Sequence, residues 1–499
     1  MIVQHNDQDP LQSPLDVPRD SVVVIDFLDA PTRQLASPEC KFPPYAEDPS
    51  IIPMTALQNG RYDCTMIIST DTMVVSPGIH STASPQEPIY LPNGWTEHVN
   101  PEGAPFYTSS AAEMGSFCIV TDVPLHEQRL YEKLVASIEK IKLLAERLQF
   151  RLPNDCELYI QVNEADDRCK YYLVDHNSKT EFWLQKIDSD VLEMPELSSS
   201  NHLKFVLQEH YWTHVEYFPH RPVAPQDREE LVNILRHAAI DQLTSESSTF
   251  PYAAEQCGKF LTLVDVQTAS SPYMTSAIAR LWVTVARYRF SNYYGEKHAR
   301  LGRLQQRLGK SVATSSLMMK ICSILLFEIP KRITTDLDML FVDRIAYAMH
   351  WQKYMTQQMR FWRESSYLSA CLLMANVGFL TFVGTSIGAV VSLISLITPL
   401  GAMTSGVVLL NLYANGENMN AATVAQHMSD IEHDKLGFQP ISAVLSLPEA
   451  LLLWSLNLFA LNILVAAAET PSILMKTVIT AILFCAGLVW LKARNVSRG

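Results

Sequence analysis

Between Ser365 and Gly416 the chain runs for 52 residues without a charged side chain. As one helix that run would be about 78 Å long at ~1.5 Å per residue, against a hydrocarbon core of ~30 Å. A single membrane span cannot use it, whereas two can. The natural break is Gly384-Thr385-Ser386, which predicts spans over 366–383 and 387–412, the second kinked by Pro399 with Gly401. Two further apolar stretches predict spans over 449–468 and 472–491.

The competing reading is a set of core helices in a water-soluble protein, and four uncharged stretches in succession make it uncommon. Flanking charge then sets the count. Arg360 and Arg363 precede the first stretch, and Lys492, Arg494 and Arg498 follow the last. Basic clusters stay on the cytosolic side, so an even number of spans with both termini cytosolic is expected. Asn376, Asn411 and Asn462 are the main strongly polar side chains in these segments. An ion or proton pathway normally carries a mid-membrane acid or base, so helix–helix hydrogen bonding is the simpler role for them. A transporter or channel subunit is therefore the alternative function.

The upstream sequence is different in kind. A net charge of −13 argues against nucleic-acid binding, which needs a basic face. The nine cysteines include no C-x-x-C pair, which suits reduced thiols better than a disulfide framework or a zinc site. Met1 to Pro18 is polar and acidic, without the basic and apolar parts of a signal peptide. Residues 1–90 mix proline, serine and acids with short apolar runs such as Ser21–Phe27, and read as an extended or disordered tail.

Within 91–225, apolar positions Leu130, Leu134, Ile138, Ile141, Leu144 and Leu148 predict an amphipathic helix over 125–150. Strand-like segments follow at Leu158–Val162 and Tyr171–Val174, and a helix near Asp227–Leu243. A long helical region over 226–365 includes a basic stretch, 280–310, with eight Lys or Arg against the single acid Glu296. Aromatics Trp282, Tyr288, Phe290, Tyr293 and Tyr294 lie among these charges, so the stretch suits either anionic headgroups or pairing with the acidic N-terminal part. A further helix is expected over Asp336–Trp362, running toward the first span.

Residues 172–183 read YLVDHNSKTEFW. Alternation puts Tyr172, Val174 and His176 on one face of a strand, and the Asn177-Ser178 turn returns the chain to Trp183. The spacing of Tyr172, Val174, Asp175, His176, Asn177, Lys179, Thr180 and Trp183 resembles the second and third strands of a WW domain. A second fragment, Leu91-Pro92-Asn93-Gly94-Trp95 with Tyr107 further on, is similar to that family's opening. The resemblance implies two WW-like segments, 91–107 and 156–184, each incomplete. It also implies a groove for proline-rich peptides formed by Tyr172, Val174, His176, Lys179 and Trp183, with Trp95 and Tyr107 in the second segment. The whole layout resembles a group of multi-pass membrane proteins of mushroom-forming (basidiomycete) fungi, which implies an architecture and no particular activity.

Other motifs carry less. Gly384-Thr385-Ser386-Ile387-Gly388 matches G-x-S-x-G but falls between two apolar stretches, not at a strand-to-helix elbow. Gly309-Lys310-Ser311 lacks the upstream glycine of a P-loop, since Leu304 stands there. Pro43-Pro44-Tyr45 approaches a WW ligand without its spacer. His210 and His214, four apart and near Glu209 and His220, have metal-ligand spacing, but no third ligand is evident and amphipathic packing is the simpler account.

The expectation is a mainly α chain. Four C-terminal transmembrane helices (366–499) follow a largely helical soluble region, with a small antiparallel WW-like β element in the N-terminal half. It acts as a membrane-anchored interaction or adaptor protein. Its partners are the lipid bilayer and proline-rich ligands, with no catalytic residues, metal or cofactor.

Overall fold

The computed structural model describes residues 22–24, 49–61, 91–110, 117–162, 168–264, 271–309, 316–380 and 386–469, with isolated positions 70, 72 and 77. Most of the predicted tail, the break at Gly384-Thr385 and the segment 472–491 lie outside them. The chain divides into two compact units. The first comprises Met1–Arg19 and Asp26–Arg303, and the second Asp20–Ile25, which contains strand β1 (Val22–Val24), and Leu304–Gly499.

The first unit is built on one mixed sheet of seven strands. In chain order these are β2 (Ile51–Pro53), β3 (Trp95–Val99), β4 (Pro105–Ser109), β5 (Cys118–Thr121), β6 (Cys156–Val162), β7 (Cys169–Asp175) and β8 (Thr180–Phe182). Their spatial order is β2-β7-β6-β5-β4-β3, and β8 pairs with the end of β7 beyond β2. The β2–β7 and β5–β6 pairs are parallel and the rest antiparallel. Helix α1 (Gln128–Arg147) makes the β5-to-β6 crossover. Its Leu130, Leu134, Ile138, Ile141 and Ala145 face Ile119, Leu158, Ile160, Tyr171 and Leu173 on the sheet. That apolar stripe is the one the periodicity predicts. Each such Leu or Ile contributes about 1.5–3 kcal/mol of burial, and Leu134→Ala would cost about 2–5 kcal/mol.

The opposite sheet face carries Phe106, Val120, Tyr159, Tyr172 and Val174. It is covered by helices α2 (Ser200–Tyr217), α3 (Pro225–Thr244), α4 (Ala254–Val264) and α5 (Pro272–Ser291). Ser199 caps α2 by accepting from the His202 N–H at 3.0 Å, and Pro225 and Pro272 open α3 and α5 where no N–H is needed. Twelve of the eighteen residues of α2 are buried, which makes it the central helix of this layer. The basic stretch of α5 is paired with acids of its own unit: Arg280 with Glu216 and Glu102, Arg287 with Glu209, and Arg289 with Glu230.

These observations correct the expected fold class. The two WW-like segments are hairpins, β3–β4 and β7–β8, but both belong to one seven-stranded mixed sheet and not to a small antiparallel element. Local sequence shows a hairpin; it does not show β2 or β5 arriving from far along the chain to pair in parallel.

In the second unit, β1 joins β10 (Ile345–Tyr347), which pairs with β9 (Phe341–Val342). Asp343 and Arg344 both have positive φ (53° and 61°), the two-residue turn that matches strand twist. That turn breaks the helix expected over Asp336–Trp362 into α7 (Ile329–Leu340) and α8 (Ala348–Leu380), with α6 (Leu317–Leu325) before them. Helix α8 does run on through residue 366. It packs with α9 (Ser386–Leu412) and α12 (Leu447–Glu469); α10 (Ala421–Ile431) and α11 (Gln439–Leu445) lie between those two in sequence.

Of four expected membrane spans, the described residues contain two helical stretches long and apolar enough to cross a bilayer, Ser392–Asn418 and Leu447–Val465. The described part of α8 falls short because Arg363, Glu364, Ser365, Ser366, Ser369 and Asn376 dilute its apolar end. The bundle has two contrasting ends. Near Trp351, Met355, Trp362, Tyr413 and Met428 it is an ordinary aromatic and aliphatic core. Toward the other end Asn376, Ser392, Ser395 and Asn462 are buried, while the outer faces of the three helices expose Leu368, Met374, Ile394, Ile397, Val408 and Leu461.

Candidate functional site

Strand alternation places Glu157 and Tyr159 of β6, Tyr172 and Val174 of β7 and Glu181 of β8 on the sheet face beneath α2. Two carboxylates thus point into a helix layer, and α2 answers with His210 and His214.

Glu157 has no exposed surface. Its Oε2 accepts a hydrogen bond from His176 Nε2 at 2.8 Å, and His220 Nε2 stands 3.5 Å from the same oxygen. Its Oε1 lies 3.4 Å from His214 Nε2, and neither of those atoms has a hydrogen-bond partner. Arg221 Nη1 is 3.9 Å from Oε2, with its guanidinium held by Asp155 at 2.8 Å and 3.1 Å. Each histidine ring is clamped at its outer nitrogen. His176 Nδ1 is 3.2 Å from the Tyr211 hydroxyl, His214 Nδ1 is 3.0 Å from the Tyr172 hydroxyl, and His220 Nδ1 donates to the Phe218 carbonyl at 2.9 Å. All three turn Nε2 toward Glu157.

Burial opposes a charge on Glu157, but the charge of His220, the hydrogen bond from His176 and the facing His214 ring outweigh it and hold the carboxyl well below its usual range. Burial depresses His214, only partly offset by Glu157. For His220 burial is outweighed by the facing carboxylate, and its pKa is raised. The cluster borders a pocket of about 260 Å3 lined by His176, Tyr211, His214, His220, Arg221 and Asp155 among others. Chemically it offers one buried carboxylate and three imidazoles at the edge of a small polar pocket.

A second buried pair lies along the same face. Glu181 Oε2 accepts from the Ala56 N–H at 3.2 Å and is 3.6 Å from His210 Nδ1. Burial raises Glu181 well above the usual carboxyl range, and burial with the charge of Arg287 lowers His210 to about 3.

Of the residues expected to form a peptide groove, Tyr172 and Val174 have no exposed surface, and His176 belongs to the Glu157 cluster. Lys179 (φ 55°) sits in the hairpin turn and pairs with Asp227 on α3, and Trp183 donates to the Met54 carbonyl at 2.7 Å. Trp95 and Tyr107 are buried on the opposite sheet face, against the α1 core, and do not join the first set. The i, i+4 spacing of His210 and His214 is real, but the two serve different carboxylates, Glu181 and Glu157. Glu209 pairs with Arg287 instead. The residue that sequence reasoning missed is Glu157, and the signal available was the density of ionisable groups in the otherwise apolar EHYWTHVEYFPH. Comparison with protein-family models, curated proteins and solved structures gave no match.

Proposed function

We propose that the chain is an integral membrane protein, its second unit held in a lipid bilayer and its first unit a binding module tethered to that membrane. One observation carries the reading: the inverted polarity of the α8, α9 and α12 bundle. In water the arrangement would leave Leu368, Met374, Ile394, Ile397, Val408 and Leu461 against solvent while asparagine and serine share the interior with Ala402, Leu409, Ala450 and Leu452. In hydrocarbon the same arrangement is favourable, because lipid wets the apolar belt and polar side chains must bond one another. They do so here. Asn462 Nδ2 donates to Ser395 Oγ at 3.0 Å, Ser392 Oγ donates to Asn462 Oδ1 at 3.2 Å, and Ser395 also donates to Asn376. Only 28% of each spanning window is buried, whereas a soluble core helix is mostly buried.

We assign the binding role to the histidine-lined pocket and not to the β7–β8 hairpin, since Tyr172 and Val174 have no surface to offer a peptide. The transporter alternative gains nothing from the bundle, whose buried polar side chains include no ionisable group among the described residues. Membranes from cells expressing the full chain, washed with high salt and then with alkaline carbonate, test the anchoring. The chain is expected to stay in the pellet until detergent is added; release by carbonate would end the membrane reading.

A further inference from the structure

We infer that Glu157, His176 and His214 coordinate a divalent transition-metal ion, with an open position toward the adjoining pocket. The inference goes beyond the membrane reading and deepens the assignment of the pocket as a binding site.

Three observations carry it. The ligand atoms of these three side chains all lie within 4.8 Å of one another. In a tetrahedral site with metal–ligand bonds of ~2.1 Å, ligand atoms stand ~3.4 Å apart, and His214 Nε2 is 3.4 Å from Glu157 Oε1. The 2.8 Å contact of His176 with Oε2 would have to open by about 0.6 Å to reach that spacing. Second, these two facing atoms, Glu157 Oε1 and His214 Nε2, are buried without a hydrogen-bond partner. Buried polar atoms are nearly always satisfied, and a shared cation satisfies both. Third, the outer nitrogens are held as metal-binding imidazoles are held. A tyrosine hydroxyl sits at Nδ1 of both His176 and His214. The metal would replace the His176 Nε2 proton that Glu157 accepts without it, and with each hydroxyl accepting from Nδ1–H both Nε2 lone pairs point inward.

A cation-free account, in which Arg221 and His220 balance the carboxylate, leaves those two atoms only their 3.4 Å contact with each other. Arg221 does compete for Oε2, but its charge is already matched by Asp155. His220 lies outside the compact trio and supports the carboxylate from Oε2. Two imidazoles and one carboxylate suit Zn2+, Co2+ or Fe2+ better than Mg2+ or Ca2+, which prefer oxygen.

The test uses the untagged full chain in detergent micelles, stripped with a chelator and titrated with Zn2+ by calorimetry, with bound metal counted by mass spectrometry. Co2+ serves as a visible-absorption probe of geometry. One ion per chain is expected. Glu157→Gln and His214→Ala should weaken binding at least ~100-fold, and Tyr172→Phe, which touches no metal, ~10–100-fold. His210→Ala, one turn away, should bind as wild type. Thermal unfolding of each variant identifies any that fails to fold, and Tyr172→Phe keeps the test alive if the ligand variants do. Failure of wild type to bind Zn2+ at one per chain, or equal affinity in folded Glu157→Gln, would overturn the inference. Carbonate extraction of the same chain reports on anchoring separately, so either idea can fail alone.

Discussion

The sheet-and-helix unit encloses ionisable side chains, among them Glu157, Glu181, His210 and His214, whereas the helical bundle encloses Asn376, Ser392, Ser395 and Asn462, all uncharged. Both arrangements put polar atoms where solvent cannot reach, yet they answer different demands. Ionisable groups are costly to bury and are retained where their charge or lone pairs do something. Neutral amides and hydroxyls inside a bundle with an apolar exterior act as interhelical ties, which a hydrocarbon solvent favours. Under the proposed function, the contrast assigns chemistry to the first unit and anchoring to the second.

The largest effect is expected where the bundle packs in the ordinary way. Trp362 is buried and its indole N–H donates to the Leu445 carbonyl at 3.1 Å. Trp362→Ala should cost about 3–5 kcal/mol, read as a large fall in the unfolding temperature of the detergent-solubilised chain. A variant as stable as wild type would show that this end is not a core.

A matched pair of surface changes sharpens the comparison between units. Ile397 of α9 and Leu243 of α3 are similarly exposed, at 67% and 73%. If one faces lipid and the other water, Ile397→Asp should oppose membrane insertion by about 2.5–3.5 kcal/mol, while Leu243→Asp should change stability by less than about 0.5 kcal/mol. Insertion assays and unfolding curves on the two variants give the comparison directly; equal, small effects would remove the distinction.

The Glu181–His210 pair predicts a pH dependence confined to the first unit. Folded, the carboxyl is protonated and the imidazole neutral; unfolded, they titrate near their ordinary values of 4.5 and 6.5. Between those values unfolding releases one proton and takes up another, so the pair leaves stability level. Above pH 6.5 only the release remains, and the folded chain holds more protons. Stability then falls by about 1.4 kcal/mol per pH unit until Glu181 ionises in the folded chain. Glu181→Gln abolishes that loss, so it should gain on wild type as pH rises from about 6.5 to 8. Parallel unfolding temperatures for the two proteins across that range would show Glu181 already ionised.

The smallest effect belongs to the ties in the bundle. Asn462→Leu removes donations to Ser395 and Asn376 and an acceptor for Ser392. In lipid such bonds are worth about 0.6 kcal/mol on average, so the variant should remain inserted and folded, with a shift of that order in its melting curve. Loss of folding would mean the cluster is more than a tie.

Much of the local structure was legible in the sequence. The stripe from Leu130 to Ile141 announced α1, Tyr171–Val174 and Leu158–Val162 announced strands, and the hairpin at Asp175–Thr180 followed from its turn residues. What stayed hidden is non-local. Pairing of Ile51–Pro53 with Cys169–Tyr171 joins segments more than a hundred residues apart, and strands of three residues leave almost no period to read. Glu157 was hidden for a related reason: alternation in CELYIQV puts it opposite Leu158, and a carboxylate on the second face of a strand ordinarily meets water. Only the arrival of α2 turns that face into a site. The uncharged C-terminal run was legible as a run, but its length did not fix how many helices cross a membrane.

The central claim is that the bundle's exposed apolar belt faces lipid while the first unit does not. Native membranes containing the full chain, labelled with an apolar photoactivated carbene and mapped by mass spectrometry, test it most directly. Label concentrated on peptides carrying Ile394, Ile397, Val408 and Leu461, and absent from α1 to α5, is the predicted result. Label spread evenly over both units, or missing from α9 and α12, would contradict it.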